Sequence, residues 1–257
     1  MIWIGLIAAV AAVVCVFAAR SAQGRAKALR RVETFTADEV NQLRTAAGDA
    51  AGPGQFRYGV EVVGAAHPAG QALTSQLAQR ECVWHRHKVT HKYWETVRDS
   101  NGNSKRQERS RVVSEHTSGS EFLVRDRTGE VLVDPGKGVD QPEKILDTFE
   151  KGGGRGGGTI SFGSFSLPIG SRSGTIGYRY EEWALLPGRT VFVHGEADDS
   201  TGRLVVGAPA DGGLHLVSTR TQEELLRVEG TKERGFRVGA AVSAVGAVVA
   251  LLVALLG

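Results

Sequence analysis

The chain has few of the residues that build metal and redox centres. Only 2 of its 257 residues are cysteine, and they form no Cys-x-x-Cys pair. Cys15 lies in an uncharged run near the start and Cys82 stands alone in the central region, which excludes a disulfide within that region and a cysteine-rich zinc module. His-Glu-x-x-His, Gly-x-Ser-x-Gly and the P-loop pattern are also missing, so no catalytic or cofactor-binding residues are assigned.

Charge is missing from both ends of the chain. The runs 2–19 and 238–257 contain no Asp, Glu, Lys or Arg. At about 1.5 Å per residue, ~20 apolar residues in a helix match a hydrocarbon core of ~30 Å. We therefore expect two transmembrane helices, with a central region attached to one membrane at both ends.

The basic residues beside the two runs predict how the chain lies in the membrane. They follow the first run as Arg20, Arg25, Lys27, Arg30 and Arg31, and they precede the second as Lys232, Arg234 and Arg237. Because Lys and Arg accumulate on the cytoplasmic side of spans, we expect a two-pass plasma-membrane protein with a cytoplasmic domain and both termini outside. A secretory signal is the alternative for the first run, but residues 1–3 lack its positive n-region. Binding of anionic lipid by the basic runs 25–31 and 232–237 is compatible with this topology.

The overall charge argues against nucleic acid as a partner. The sequence has 31 Lys and Arg against 28 Asp and Glu, a net charge of +3 that is spread along the central region. A nucleic-acid binder concentrates its basic residues on one face. The bilayer and an unknown protein partner or ligand are therefore the expected partners.

Helical signals lie near both membrane runs. Residues 20–54 form a juxtamembrane helical segment, in which Thr36 and Glu39 make a capping box for a helix that we expect to stop at Gly48. A second capping box begins at Thr221, and we expect Gly230 and Gly235 to interrupt its helix within the basic segment 227–237. Residues 143–150 are expected to form one short helix.

Residues 55–226 predict a β-rich domain. Its apolar residues alternate with period two, 34 glycines occur in the chain, and Asn101-Gly102 is a strong hairpin signal. A glycine-rich loop is predicted at 152–158, and residues 203–207 and 214–218 read as hairpin-like pieces. The other expected strands are 56–62, 82–98, 107–116, 122–124, 130–133, 178–186 and 190–195. The predicted fold class is a membrane-anchored α+β protein with a mainly antiparallel β domain between two transmembrane helices.

Short sequence motifs in this domain resemble those of a known family. They lie at 59–66, 73–75, 81–84, 122–126, 131–135, 180–182, 186–188 and 191–197. Their order and spacing resemble the GIDE proteins, whose soluble part is called the BAM (beside-a-membrane) domain. The family motif residues singled out here are Gly64, Glu81, Cys82, Val83, Trp84, Asp126, Gly188 and Gly195.

The resemblance carries a functional implication that the residues do not fully support. It implies a RING-type E3 ubiquitin transferase, and such ligases carry their zinc-binding RING after the second span. This sequence ends at Gly257 without RING cysteines. We therefore expect a non-catalytic binding or sensing module close to the membrane surface. One alternative is a component of a ubiquitin-like transfer pathway whose partner supplies catalysis.

A second alternative is a membrane scaffold or homo-oligomer. Small residues in a transmembrane helix allow another helix to approach closely. The second run is rich in them, namely Gly239, Ala240, Ser243, Ala244, Gly246 and Ala247.

Three histidines of one expected strand are weak candidates for a metal site. His85, His87 and His91 share a strand face, and imidazole is a common zinc ligand. The favoured interpretation is instead an exposed polar face with Trp84 and Trp94 on the other side. No suitably spaced fourth ligand or supporting carboxylate is evident, so no metal site is assigned.

Cys82 is the one thiol of the domain that invites a catalytic interpretation. A nucleophilic cysteine needs a low pKa and a nearby base. His85 follows three residues later, which places it on the opposite face of a strand. A buried structural thiol is therefore expected.

Overall fold

The computed structural model describes residues 2–98, 102–152, 158–162, 165–169 and 174–256. Its contacts divide the chain into two compact units, Met1–Thr34 with Arg220–Gly257, and Phe35–Thr219. The first unit is helical, and the second is a β domain with one helix. The α+β class and the mainly antiparallel sheets expected from the sequence are confirmed.

The secondary structure comprises three helices and sixteen strands among the described residues. The helices are α1 (Ile2–Arg31), α2 (Ala37–Ala51) and α3 (Gln222–Leu256). The strands are β1 (Thr34–Phe35), β2 (Arg57–Pro68), β3 (Leu73–Thr74), β4 (Glu81–Cys82), β5 (Trp84–Arg98), β6 (Ser104–Thr117), β7 (Phe122–Arg125), β8 (Glu130–Val133), β9 (Val139–Asp140), β10 (Glu143–Lys151), β11 (Gly158–Phe162), β12 (Phe165–Ile169), β13 (Thr175–Leu185), β14 (Thr190–Asp198), β15 (Val205–Gly207) and β16 (Leu216–Ser218).

The helical unit is an antiparallel pair. The side chain of Gln222, at the start of α3, donates a hydrogen bond to the carbonyl of Leu29 near the end of α1, at 2.8 Å. Further along, the Gln23 side chain donates to Glu233 at 2.7 Å. Residue numbers fall along α1 as they rise along α3, so the two helices run in opposite directions.

The expected interruption of the last helix is wrong, because α3 continues through Gly230 and Gly235 without a break. A glycine inside a helix costs about 1 kcal/mol relative to alanine. Side-by-side packing with α1 offsets that cost. A further glycine, Gly239, faces α1, since a Cβ there would lie 3.4 Å from the sulfur of Cys15.

Helix α2 begins as the sequence predicts and ends later. Thr36 and Glu39 form the expected capping box, with the Thr36 hydroxyl accepting from the Glu39 backbone and the Glu39 carboxylate accepting from the Thr36 backbone. The helix continues past Gly48 to Ala51. It stops at Gly52, which has a φ of 93° and donates its N–H to the Gly48 carbonyl at 2.9 Å.

Five strands of the larger sheet close into a ring. Strand β2 pairs with β7, β7 with β8, β8 with β15, β15 with β14, and β14 again with β2. When the five strands β2, β7, β8, β14 and β15 are renumbered 1 to 5 in chain order, the ring order is 1-2-3-5-4-1. Among these five, only the third and fifth strands, β8 and β15, pair in parallel. This is the strand order of an OB-fold barrel.

The main core fills this barrel and extends under α2. Inward-facing residues such as Val62, Phe122, Val124 and Val193 are fully or almost fully buried. Helix α2 adds Val40 to the same cluster. Burial of a valine, leucine or phenylalanine side chain stabilises the fold by about 1.5–3 kcal/mol.

A second sheet, with the order β10-β13-β5-β6, is built from two insertions into the barrel. In the sequence, strands β5 and β6 lie between barrel strands β2 and β7. Their antiparallel pairing up to Arg98 and Ser104 is that of the predicted hairpin, whose turn residues 99–101 lie outside the described residues. Strands β10 and β13 lie between β8 and β14. The helix expected at 143–150 is wrong, because this segment is strand β10 and pairs with β13. An isolated eight-residue helix is marginal, and Ile145, Thr148 and Phe149 suit a strand.

The last two short strands lie at the positions that the sequence predicts. We expected residues 203–207 and 214–218 to be hairpin-like pieces. Strand β15 forms a hairpin with the preceding strand β14, and β16 pairs antiparallel with β14 at a different position along it. The glycine-rich loop predicted at 152–158 lies outside the described residues except for its two ends.

Candidate functional site

The glycines of the family motif serve close packing within the barrel. A Cβ at Gly64 would lie 2.5 Å from the carbonyl oxygen of Arg125, and one at Gly195 would lie 2.5 Å from that of Gly207. Neither approach tolerates a side chain. Gly188 has a φ of 79° in the turn before β14 and donates its N–H to the carbonyl of Ala66 at 2.8 Å.

Asp126 of the same motif set caps a helix from a distant part of the chain. One carboxylate oxygen accepts the backbone N–H of Ala37 at 2.7 Å, at the start of α2. The other accepts the backbone N–H groups of Thr128 and Gly129 at 2.7 and 3.0 Å. Burial raises the pKa of Asp126, but a hydrogen bond from the Thr128 hydroxyl at 2.7 Å and these backbone bonds outweigh burial and hold the pKa below its usual value. Asp126 therefore fixes α2 against the β7–β8 turn.

The motif segment 81–84 passes from an edge strand into the core. Cys82 and Trp84 are buried, and Trp84 joins the main core. Burial, with the nearby carboxylates of Glu182 and Glu81, raises the pKa of the Cys82 thiol to about 11. A thiol this weakly acidic is a poor nucleophile at neutral pH.

The three candidate histidines share a face, but that face is buried. His85, His87 and His91 are each at most 5% exposed, so the expectation of an exposed polar face is wrong. Between residues 85 and 92 of strand β5, the odd-numbered side chains point inward and are buried, and the even-numbered ones point outward. Trp94 therefore lies on the exposed side.

Each of these histidines has defined surroundings. The ring nitrogen Nε2 of His87 lies 3.0 Å from the hydroxyl of Ser114, and that of His91 lies 3.1 Å from the hydroxyl of Thr175. The His91 ring also stacks on Tyr178, with ring centres 4.7 Å apart. No group of three or more His, Cys, Asp or Glu side chains in the described part of the chain is placed to hold a metal ion.

Glu182 is the charged group at the centre of this buried face. It is fully buried on β13, opposite His87 in the register. Its two oxygens accept backbone N–H groups from Gln76, Leu77 and Ala78 at 2.6–3.2 Å. Three consecutive N–H groups form an anion-binding turn, and here the anion is the protein's own carboxylate.

Burial also sets the protonation of the histidines beside Glu182. It lowers the pKa of both His85 and His87; Glu182 opposes the shift, and His116 adds to it. The rings of both lie 6.0 Å from that of His116. The two buried imidazoles are therefore neutral at pH 7. Together with Cys82 and Glu182 they form a packed polar core.

The opposite side of the second sheet is exposed and basic, and we call it the basic face. Register and exposure place eight basic side chains there, Arg86, Lys88, Lys92, Arg98, Arg106, Lys144, Lys151 and Arg179. Four acidic side chains share it, Glu108, Glu115, Asp147 and Glu181. The basic face therefore carries an excess of four positive charges.

Aromatic side chains lie among the charges of the basic face. Trp94 and Phe149 are 44% and 42% exposed. The guanidinium of Arg106 lies 5.7 Å from the centre of the Trp94 ring. Exposed aromatic rings beside arginine are typical of protein-binding surfaces.

A comparison with protein-family models places the domain among known proteins. The GIDE model, described as an E3 ubiquitin ligase, matches residues 93–253, which is more than half of the chain. The chain belongs to the GIDE family. No curated protein and no solved structure matches it significantly.

The GIDE match covers part of the structure that the sequence motifs identified. It begins within β5 and continues into α3, so Asp126, Gly188 and Gly195 lie inside it. Gly64 and the segment 81–84 precede it. The sequence motifs and the family model therefore point to the same family from partly different residues.

Two features of this GIDE domain were not predicted from the sequence. In the sequence, Glu182 is only the last residue of the motif 180–182, because nothing there shows that residues 76–78 form the turn that binds its carboxylate. The basic face was also missed, since its charges come from four strands spread over residues 86–181. The alternation in 85–93 was the available signal for the buried histidines, since apolar Val89 shares their face.

Proposed function

We propose that the chain is a membrane-anchored binding module, in which α1 and α3 cross the bilayer side by side and the GIDE β domain binds a partner. The observation that carries this proposal is the exposure of apolar side chains along both helices. Those exposed by 47–68% are Leu6, Ile7, Val10, Val13, Val14, Phe17, Val238, Val242, Val245, Val248, Val249 and Val253. Water disfavours such a surface by about 25 cal/mol per Å², and a bilayer removes the penalty.

Helix length and charge support the same arrangement. Residues 2–19 and 238–256 span about 27–29 Å as helix, close to a hydrocarbon core. Among the described residues, one segment, Leu6–Arg30, is long and apolar enough to cross a membrane by itself, with mean hydropathy 1.9. For α3, the support is the antiparallel packing on α1 and the same outward apolar pattern.

The antiparallel pairing bears on sidedness. Both apolar segments end at arginine, at Arg20 on α1 and Arg237 on α3, and these ends lie together. Basic residues favour the cytoplasmic side. The proposed orientation is therefore a two-pass plasma-membrane protein with its β domain in the cytoplasm and both termini outside.

The chemistry of the β domain favours binding over catalysis. The Cys82 thiol is buried and weakly acidic, and the Glu182 carboxylate is occupied by three backbone N–H groups. The basic face offers exposed charge and aromatic surface instead. The partner proposed for it is an acidic protein surface.

Alkaline extraction of membranes tests the anchoring. The full chain is expected to stay in the membrane pellet at pH 11, and the matched substitutions Val10→Leu with Val245→Leu should not change this. Val10→Glu with Val245→Glu should release a large part of the protein, because a carboxylate at the centre of a span costs about 2.5–3.5 kcal/mol. Complete extraction of the unaltered chain would contradict the proposal.

Photocrosslinking from the second sheet tests the binding role. A photoreactive residue replacing Ser110, on the basic face, should give a discrete protein adduct in cells. Charge reversal by Lys88→Glu with Arg106→Glu should abolish the adduct. Gln107, three residues away on the other face of β6, is the matched control position. Adducts of equal yield from both positions, or none from Ser110, would contradict binding at this face.

A second candidate function is a role in ubiquitin transfer, which the description of the matching family as an E3 ubiquitin ligase favours. In this alternative a partner protein supplies catalysis. Reconstitution with ubiquitin, its activating enzyme and a panel of conjugating enzymes tests direct activity. If this protein assembles polyubiquitin in that mixture without any other ligase, direct ligase activity replaces the non-catalytic proposal.

A further inference from the structure

A groove with a polar end lies between α1 and α3. Its volume is about 250 Å³, and it is lined by Val16, Ala19, Arg20, Gln23, Arg237 and Ala240. The apolar members of this set come from the membrane-facing turns of the two helices. The polar members come from the turns immediately beyond.

The polar end of the groove is held in place by one carboxylate. Glu233 accepts a hydrogen bond from the Gln23 side chain at 2.7 Å and from the Arg237 guanidinium at 2.8 Å. A guanidinium has five N–H donors, so Arg237 keeps donors for another anion. Arg20 makes no ion pair with any residue that the structure describes. Two positive charges and one negative charge therefore meet at this end.

We propose that this groove binds one anionic glycerophospholipid. The two guanidinium groups would hold the headgroup phosphate, since arginine matches phosphate geometry with paired N–H donors. The glycerol and the first part of an acyl chain would lie against Val16, Ala19 and Ala240. This inference rests on the proposed insertion of α1 and α3 into a bilayer.

The chemistry of the groove selects the occupant. A free phosphate would use the arginines but leave the apolar wall exposed to water. A phosphatidylcholine headgroup would bring its trimethylammonium close to Arg20 and Arg237, which repel it. A lipid whose headgroup has a phosphate and no cation, such as phosphatidylglycerol, matches both the arginine end and the apolar wall of the groove. Basic pockets between membrane helices on the cytoplasmic side are known to suit anionic lipids.

Native mass spectrometry of the full chain in mild detergent tests the proposal, with phosphatidylglycerol and phosphatidylcholine as probes. The unaltered chain should bind one phosphatidylglycerol molecule, with an affinity at least about tenfold higher than that of the double variant Arg20→Gln with Arg237→Gln. The control double variant Arg25→Gln with Arg234→Gln removes the same charge from the same two helices outside the groove. Its affinity should stay within about twofold of the original.

The outcomes separate this site from the anchoring on which it rests. Equal loss in both double variants, or equal binding of the two lipids, would overturn a specific site. If millimolar inorganic phosphate displaces the lipid and the chain does not distinguish phosphatidylglycerol from phosphatidylcholine, the two arginines bind free phosphate instead. Alkaline extraction of the groove variant, which is Arg20→Gln with Arg237→Gln, reports only on membrane insertion. If the variant remains in the pellet and the unaltered chain binds no lipid, the groove proposal fails while the anchoring stands.

Discussion

Leu77 donates its backbone N–H to both carboxylate oxygens of Glu182, at 3.1 and 3.2 Å. The Leu77 side chain is itself buried in the small core cluster that contains Tyr180. The turn at 76–78 is thus attached to strand β13 twice, by charge-assisted hydrogen bonds and by apolar packing. A buried carboxylate with this many donors is a structural element of the sheet.

We expect Glu182→Gln to destabilise the β domain by about 2–4 kcal/mol. The amide would point an NH₂ group at backbone N–H donors and lose the charge that strengthens the remaining bonds. Urea unfolding of the full chain in detergent, followed by tryptophan fluorescence, measures the change. Glu95→Gln breaks an exposed ion pair to Arg109 and should cost less than about 1 kcal/mol. Similar losses in the two variants would mean that the Glu182 hydrogen bonds contribute little.

Local patterns in the sequence predicted most of the fold. The capping box at Thr36 and Glu39 was predicted correctly because it lies within four residues of chain. The β5–β6 hairpin was predicted from Asn101-Gly102 and the alternation on either side. Residues 143–150 were assigned the wrong structure, because their strand conformation depends on pairing with β13, about thirty residues later.

The site was harder to predict than the fold, for the same physical reason. Alternation in β5 puts His85 and His87 on one face, but which face is buried depends on what packs against it. That packing comes from Leu77 and Tyr180, which are distant in sequence. Closure of the barrel by β2 and β14 likewise joins segments more than 120 residues apart, which no local pattern encodes.

Two glycines on the same strand pair provide a matched test of the barrel packing. A Cβ at Gly195 would lie 2.5 Å from the Gly207 carbonyl oxygen, whereas a Cβ at Gly59 would have nothing within 4 Å. We expect Gly195→Ala to destabilise the domain by about 1–3 kcal/mol, since β14 and β15 must separate. Gly59→Ala should be neutral within about 0.5 kcal/mol or slightly stabilising. Urea midpoints measure both, and equal midpoints would contradict this packing.

The buried histidines predict that stability falls in mild acid. Burial lowers the pKa of His85 and His87 in the folded chain, whereas the unfolded residues titrate near pH 6.5. As the pH falls below about 6.5, the unfolded chain takes up protons that the folded chain does not, so the free energy of unfolding decreases. The titratable groups outside this pair that influence the pKa of His87 are Glu182, His116 and Glu115.

His85→Gln with His87→Gln should flatten this pH dependence. His194 is buried and His215 is half-buried, both have lowered pKa values, and they should retain part of this dependence. Urea titrations at pH 7.5, 6.5 and 5.5 measure the slope, and an unchanged m value would show that the same surface unfolds. If the free energy of unfolding of the double variant falls with pH as steeply as that of the unaltered chain, groups other than His85 and His87 cause the pH dependence.

Cys82 should be almost inert in the folded chain. Its pKa is raised to about 11 from 9.0, which lowers the thiolate fraction at neutral pH about a hundredfold, and burial blocks access as well. In a Cys15→Ser background, N-ethylmaleimide should label the native protein at least about a hundredfold more slowly than the urea-unfolded protein. Rapid labelling of the native protein would show an accessible thiol and reopen a catalytic role.

Membrane insertion of the helical pair is the central claim, and cysteine accessibility tests it most directly. The side chains of Val10 and Val245 are 57% and 64% exposed, so water would reach them if no lipid covered them. In inside-out membrane vesicles from cells expressing chains with Cys15→Ser and Cys82→Ala, a water-soluble maleimide should label Ser104→Cys rapidly. It should not label Val10→Cys or Val245→Cys until a denaturing detergent dissolves the membrane. Labelling of those two positions as fast as Ser104→Cys would contradict the account.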